Sequence, residues 1–128
     1  MASEPPRPTN AELEILTVLW RIGPATVREV YDVISRRRTA QYSTVLKFMQ
    51  IMAEKGSVRR DENKRAHIYE TTRPREWTQR QLAGDLLERG FAGSAKALLI
   101  GALSARKATE EDLAEMRKLL EEYRKGEK

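Results

Sequence analysis

One stretch constrains this chain more than any other: Gln41–Gly56, reading Gln-Tyr-Ser-Thr-Val-Leu-Lys-Phe-Met-Gln-Ile-Met-Ala-Glu-Lys-Gly. Val45, Phe48, Met49 and Met52 recur at i, i+3, i+4 and i+7, which is one face of an α-helix. Ser43, Thr44, Lys47 and Gln50 fall on the opposite face. Gly56 closes the run, being able to adopt φ > 0 past a helix C-terminus. Such a helix can be held by a core on one side and offer short hydrogen-bonding side chains and a cation on the other. That is what entry into a DNA major groove requires. An ordinary amphipathic helix with a solvated face fits the same description, so the neighbouring residues decide.

Those neighbours are basic. From Arg36 to Arg65 there are nine cations (Arg36, Arg37, Arg38, Lys47, Lys55, Arg59, Arg60, Lys64, Arg65) against Glu54, Asp61 and Glu62, a local charge of +6. The whole chain carries +5, so the remainder is about neutral. A concentrated basic segment on a balanced background points to a polyanion partner rather than to charge for solubility.

Taken in order, residues 1–8 are Pro-rich and expected to be disordered. Thr9-Asn10-Ala11-Glu12 has capping-box spacing and opens a helix through Leu13, Ile15, Leu16, Val18, Leu19 and Trp20 to about Arg21. Gly23-Pro24 breaks it. Thr26-Val27-Arg28-Glu29 is a second capping box, opening a helix with Val27, Val30, Tyr31 and Ile34 on one face that continues into Arg36-Arg37-Arg38. After the Thr39-Ala40 turn comes the helix 41–55. Beyond Gly56 the period changes. Residues 57–61 and 66–71 read as short strands joined by Glu62-Asn63-Lys64-Arg65, with Asn63 suited to a left-handed turn conformation. Three helices and a basic-tipped hairpin are the order of a winged helix-turn-helix. The predicted DNA-binding domain is 9–72.

From Pro74 the chain turns helical again, with apolar stripes through Trp77, Leu82, Leu86 and Leu87, then Ala95–Leu103, then Leu113, Met116, Leu120 and Tyr123. The last helix starts with Glu110, Glu111 and Asp112, as the helix dipole favours. A unit of about 55 residues is marginal alone, and these stripes carry more apolar surface than one small bundle hides. Residues 73–128 are therefore expected to form a helical dimerisation domain, through Leu98, Leu99, Leu103, Leu113, Met116 and Leu120. Packing of these helices on the first domain is the alternative.

No catalytic constellation is present, and the chain is not expected to be an enzyme. Cysteine is absent, His67 is the sole histidine, and a metal site needs three or four ligands. No phosphate-binding glycine loop or Gly-x-Ser-x-Gly motif occurs. No metal and no cofactor is expected. No apolar run approaches the ~18 residues of a membrane span, and the N-terminus lacks a secretory signal, so a cytoplasmic location is the expectation. Lys64 and Arg65, at an exposed wing tip, suit a phosphate or the minor groove, and Arg36, Arg38 and Lys55 are further candidate phosphate contacts.

Several of these segments together resemble one known family. Thr9-Asn10-Ala11-Glu12-Leu13-Glu14-Ile15-Leu16, Leu19-Trp20, Tyr42-Ser43-Thr44-Val45, Glu54-Lys55-Gly56 and Arg65-Ala66-His67-Ile68-Tyr69 are similar to the BlaI/MecI/CopY penicillinase-repressor family of winged-helix transcriptional regulators. The resemblance covers about residues 8–122 and is strongest over the first 72. It implies a homodimeric repressor of a dyad DNA operator, with an interlocking helical C-domain. It also implies a membrane-bound sensor metalloprotease, or a protease downstream of it, that triggers cleavage in that domain. By position, the base-reading residues would be Ser43, Thr44 and Lys47, with Tyr42 and Gln50 beside them. CopY-type members carry a C-terminal cysteine motif for metal, which this chain lacks. Staphylococcal members are cut at an Asn-Phe bond. The matching stretch Leu98–Leu103 has no such pair, so a cut here falls on another bond, with Ile100, Gly101 and Ala102 the candidate region. Leu46 stands where some members have Arg, which bears on base preference.

The reading is a sequence-specific DNA-binding repressor. Two others are compatible with the residues: a winged helix that binds nucleic acid without sequence preference or as an architectural protein, and a protein-interaction adaptor.

Overall fold

Thr9 starts the first helix as its spacing predicts. Its hydroxyl accepts from the Glu12 amide at 3.2 Å, and its own amide donates to the Glu12 carboxylate at 3.1 Å. In this computed structural model, which describes residues 7–63 and 65–126, helix α1 runs Asn10–Ile22. Residues 1–6 of the expected tail, and Lys64 of the wing, lie outside the described residues. Gly23, at φ 86°, turns the chain out of α1. Thr26 and Glu29 form the second capping box, opening α2 (Val27–Ser35). This helix does not continue through Arg36–Arg38. The amides of Arg36 and Arg37 reach back only three residues, to the Val33 and Ile34 carbonyls. That tightening of the last turn leaves all three arginines on the connection to α3 (Tyr42–Lys55). Gly56 adopts the left-handed conformation, and the Ser57 amide donates to the Met52 carbonyl at 3.0 Å, which ends α3 with its carbonyls satisfied.

Strands β1 (Val58–Asp61) and β2 (Ile68–Thr71) pair antiparallel, Val58 opposite Thr71 and Asp61 opposite Ile68. Ala66 and His67 belong to the connecting loop rather than to β2. Ala25, between α1 and α2, exchanges both backbone hydrogen bonds with Tyr69, at 2.9 and 2.8 Å. The helix-turn-helix and the wing are thereby sewn together. The core beneath is one cluster that includes Ile15, Val18, Leu19, Val30, Ile34, Val45, Met49, Met52, Val58 and Tyr69. Phe48, expected on the buried stripe, is only half-buried at its edge. Three helices and a hairpin make this a winged helix, the fold class predicted.

Three more helices follow: α4 (Arg75–Gly90), α5 (Ala95–Ala105) and α6 (Glu110–Arg124). The chain divides into two compact units, Met1–Ala83 and Gly84–Lys128. The division falls inside α4, whereas the sequence reading places it at 72/73. Within the first unit, Thr78 is buried, and it lines a small enclosed space with Pro8, Leu16, Thr71 and Trp77. The Arg73 guanidinium lies 4.5 Å from the Trp77 ring centroid, a cation–π contact. The first turns of α4 are thus part of the winged-helix unit.

In the second unit, Ser94 and Thr109 cap α5 and α6 through their hydroxyls, at 3.0 and 2.9 Å from the Ala97 and Asp112 amides. Phe91 packs over Gly101, where a Cβ would sit 3.4 Å from its ring. Among the described residues of this unit no side chain is fully buried. Ile100, Leu120 and Tyr123 are 54%, 59% and 60% exposed. No helix of the described residues is long and apolar enough to cross a membrane.

Candidate nucleic-acid interface

Helix α3 puts its two faces where its sequence periodicity predicts. Val45, Met49 and Met52 are buried, and Tyr42, Ser43, Thr44, Lys47 and Gln50 are exposed. The residues proposed from sequence as base readers therefore share one solvent-facing surface. Tyr42 is anchored as well as exposed: its ring meets Tyr31 of α2 edge to face, with centroids 5.7 Å apart. Arg28, one turn before Tyr31, lies 5.6 Å from the Tyr31 centroid.

Beside α3 runs a groove of about 280 Å³ between the helix and the wing. Tyr42 and Gln50 line it from α3, Arg28 from α2, and Arg60, Arg65 and His67 from the hairpin. Arg28, Arg60 and His67 were not among the sequence candidates. Arg28 sits at the start of α2 and Arg60 within a strand, and only the fold brings them to the groove. Hydrogen bonds to the Tyr69 hydroxyl and to Glu62 raise the Arg60 guanidinium above its ordinary value. Its link to Glu62 is short, 2.7 Å. His67 is exposed.

The five phosphate candidates separate. Arg36 and Arg65 are exposed, and Lys64 lies outside the described residues. Arg38 and Lys55 are held by acids of α1. Arg38 makes a two-pronged pair with Glu14, Nη2 to Oε1 at 2.6 Å and Nε to Oε2 at 3.1 Å. Its Nη1 donates to the Thr39 carbonyl at 2.9 Å. The Arg38 hydrogen bond, opposed by burial and helped by the charges of Arg38 and Arg37, lowers the Glu14 carboxyl below its ordinary value. Lys55 Nζ donates to Glu12 Oε2 at 2.8 Å, and Glu12 is 3% exposed. No group of three or more potential metal ligands occurs among the described residues.

Of the six expected dimer residues, Leu99, Leu103 and Leu120 are exposed, and Leu98, Leu113 and Met116 are half-buried. Leu86 and Leu119, absent from the expected set, are exposed large apolar side chains too. The candidate cleavage residues Ile100, Gly101 and Ala102 lie in the middle of α5.

The family described as "Penicillinase repressor" matches residues 8–122. The chain is 32% identical over 119 residues to "Transcriptional regulator BlaI" of Mycobacterium tuberculosis, in strains CDC 1551 / Oshkosh and ATCC 25618 / H37Rv. That alignment covers 91% of this chain and 85% of each relative. A winged helix with a helical second unit, matched by the family along nearly its whole length, belongs to the penicillinase repressor family.

Proposed function

We propose that this transcriptional repressor acts as a homodimer on a dyad DNA operator. Helix α3 enters the major groove and the wing lies along the flanking backbone. The observation that carries the reading is the division of α3. Val45, Met49 and Met52 are buried on its apolar side while Ser43, Thr44, Lys47 and Gln50 stand in solvent beside a basic hairpin. Hydroxyl, amide and ammonium groups in that arrangement match the donors and acceptors on base edges. Arg36, Arg65 and Lys64 supply phosphate contacts, joined by Arg28 and Arg60 across the groove. Phosphate contacts fix register and affinity, and base contacts fix preference.

The apolar side chains that the second unit leaves in water support the dimer. One copy has nowhere to bury Leu99, Leu103, Leu119, Leu120 and Tyr123, and a second copy related by a two-fold axis supplies the missing face. Two linked reading heads then bind through high effective concentration. Proteolysis within Ile100–Gly101–Ala102, triggered by a sensor protease, would relieve repression by severing the clamp. Because those residues are helical, a protease that takes an extended segment must first unwind α5, and Gly101 weakens the helix there by about 1 kcal/mol relative to Ala.

Selection of bound fragments from a random DNA pool, followed by competition against unselected DNA, tests the reading. The expected result is a two-fold symmetric consensus bound at least ~10³-fold more tightly than random sequence. Equal affinity for both would make the protein a nonspecific nucleic-acid binder. No binding to either would leave an adaptor.

A further inference from the structure

Reading base edges demands that a helix be held to within about 0.5 Å of its productive position. Here the core provides less of that control than it first suggests. Two of the three buried side chains of α3 are methionines, Met49 and Met52, unbranched thioethers that repack readily. Apolar burial is non-directional: it keeps α3 against the core without setting its axial position. Nor does the start of α3 carry a directional side-chain cap, since Gln41 makes no capping bond and Tyr42 is held by a ring contact alone.

Directional bonds are supplied from elsewhere. Helix α1 carries Glu12 and Glu14: Glu12 holds the last residue of α3, and Glu14 holds the connection that leads into it. At the far end, Glu12 receives Lys55, the last residue of α3, at 2.8 Å. The same carboxylate accepts from the Thr9 amide through its other oxygen at 3.1 Å, so it is fixed from both sides and buried. At the near end, Glu14 receives the Arg38 fork, and the third arm of that guanidinium binds the Thr39 carbonyl. The turn that leads into α3 is thereby pinned to α1. Two-pronged, charge-assisted bonds of this kind carry geometry as well as energy.

We infer that Glu12 and Glu14 form a two-point brace that positions the reading helix, with Lys55 and Arg38 serving as its struts rather than as phosphate ligands. The inference rests on the DNA reading above and adds the part of the fold that sets its specificity. For Arg38 to reach a phosphate it would have to leave Glu14. While the pair holds, DNA neither gains nor loses that charge. The brace therefore affects which sequence is bound, and leaves the number of counterions released unchanged.

The full-length chain provides the test, measured on its selected operator and on random DNA across a salt series, below each variant's melting temperature. Glu14→Gln, Arg38→Gln and Lys55→Met should each cut the operator-to-random affinity ratio by about tenfold, the effect of one charge-assisted hydrogen bond. In Arg38→Gln and Lys55→Met the slope of log K against log salt should stay that of the wild type. The charge swap Glu14→Arg with Arg38→Glu rebuilds the strut in reverse and should restore the ratio. A phosphate role gives the opposite pattern: Arg38→Gln would flatten the slope by about 2 per dimer, and the swap would bind worse than either single variant. That pattern, or an unchanged ratio in Glu14→Gln, overturns the brace while the DNA reading stands. A wild-type chain that shows no sequence preference overturns both.

Discussion

Tyr31 and Tyr42 meet at 75° between their ring planes, edge to face, across the junction of α2 and α3. The contact joins the two helices of the helix-turn-helix at the edge of the core, against which Tyr31 packs. Aromatic pairs of this geometry contribute about 0.5–1.5 kcal/mol beyond area burial. A double-mutant cycle with Tyr31→Ala and Tyr42→Ala, read by urea unfolding, should return a coupling energy in that range. Additive effects would show that the rings touch without supporting each other.

Two cations of the interface should respond differently to DNA sequence. Lys47, on the exposed face of α3, should be worth roughly 1–3 kcal/mol in discrimination, so Lys47→Ala should weaken operator binding more than random binding. Arg65→Ala should weaken both alike and flatten the salt slope by about 2 per dimer, from one phosphate contact in each copy. Equal losses for Lys47→Ala would move it among the phosphate contacts.

Acid should act on the Glu14 pair. Because its folded carboxyl titrates below the ordinary value of 4.5, its contribution is complete above that value and is lost as pH falls below it. Melting temperatures of the wild type and of Glu14→Gln should therefore run parallel near neutrality. They should converge as pH drops below 4.5, the wild type falling more steeply. Curves that remain parallel down to acid unfolding would mean that the pair adds nothing to stability.

The boundary between the units has a practical consequence. Thr78 and Trp77 line one space with Leu16 and Thr71 in the first unit, so a fragment ending at Thr72 keeps the core cluster of Ile15 to Tyr69 but loses packing at its edge. A fragment 1–83 should unfold cooperatively as a monomer, and 1–72 should be less stable by about 0.5–3 kcal/mol, the usual scale of a lost packing contact. The full chain should sediment as a dimer at micromolar concentration, and Leu120→Asp should dissociate it. A monomeric wild type would remove the second unit as the clamp.

What could be read from the sequence was local. Both capping boxes, each spanning four residues, were legible because Thr and Glu at that spacing suit a helix start. The two faces of α3 followed from period alone. The ties Lys55–Glu12 and Arg38–Glu14 were not legible. They join residues 43 and 24 positions apart, and nothing in either segment names its partner. Lysine and arginine in a basic stretch read as candidate phosphate contacts, and the sequence does not say which of them the fold places beside an acid. The groove residues Arg28 and Arg60 were missed for the same reason. The extent of α2 was misjudged because arginines are good helix formers, whereas the hydrogen bonds of Arg36 and Arg37 to Val33 and Ile34 had already closed the last turn.

The bare second unit changes how the repressor would respond to its own supply. If Leu99, Leu120 and Tyr123 find cover only in a twin, a newly made chain carries a finished winged helix tethered to an unfinished tail. Completion is then second order in unpaired chains, so halving their concentration quarters the rate at which active molecules form. Unpaired copies, with Ile100 and Tyr123 in water, would be the ones that general proteases clear first. The concentration of paired chains would then set how sharply a promoter is held shut.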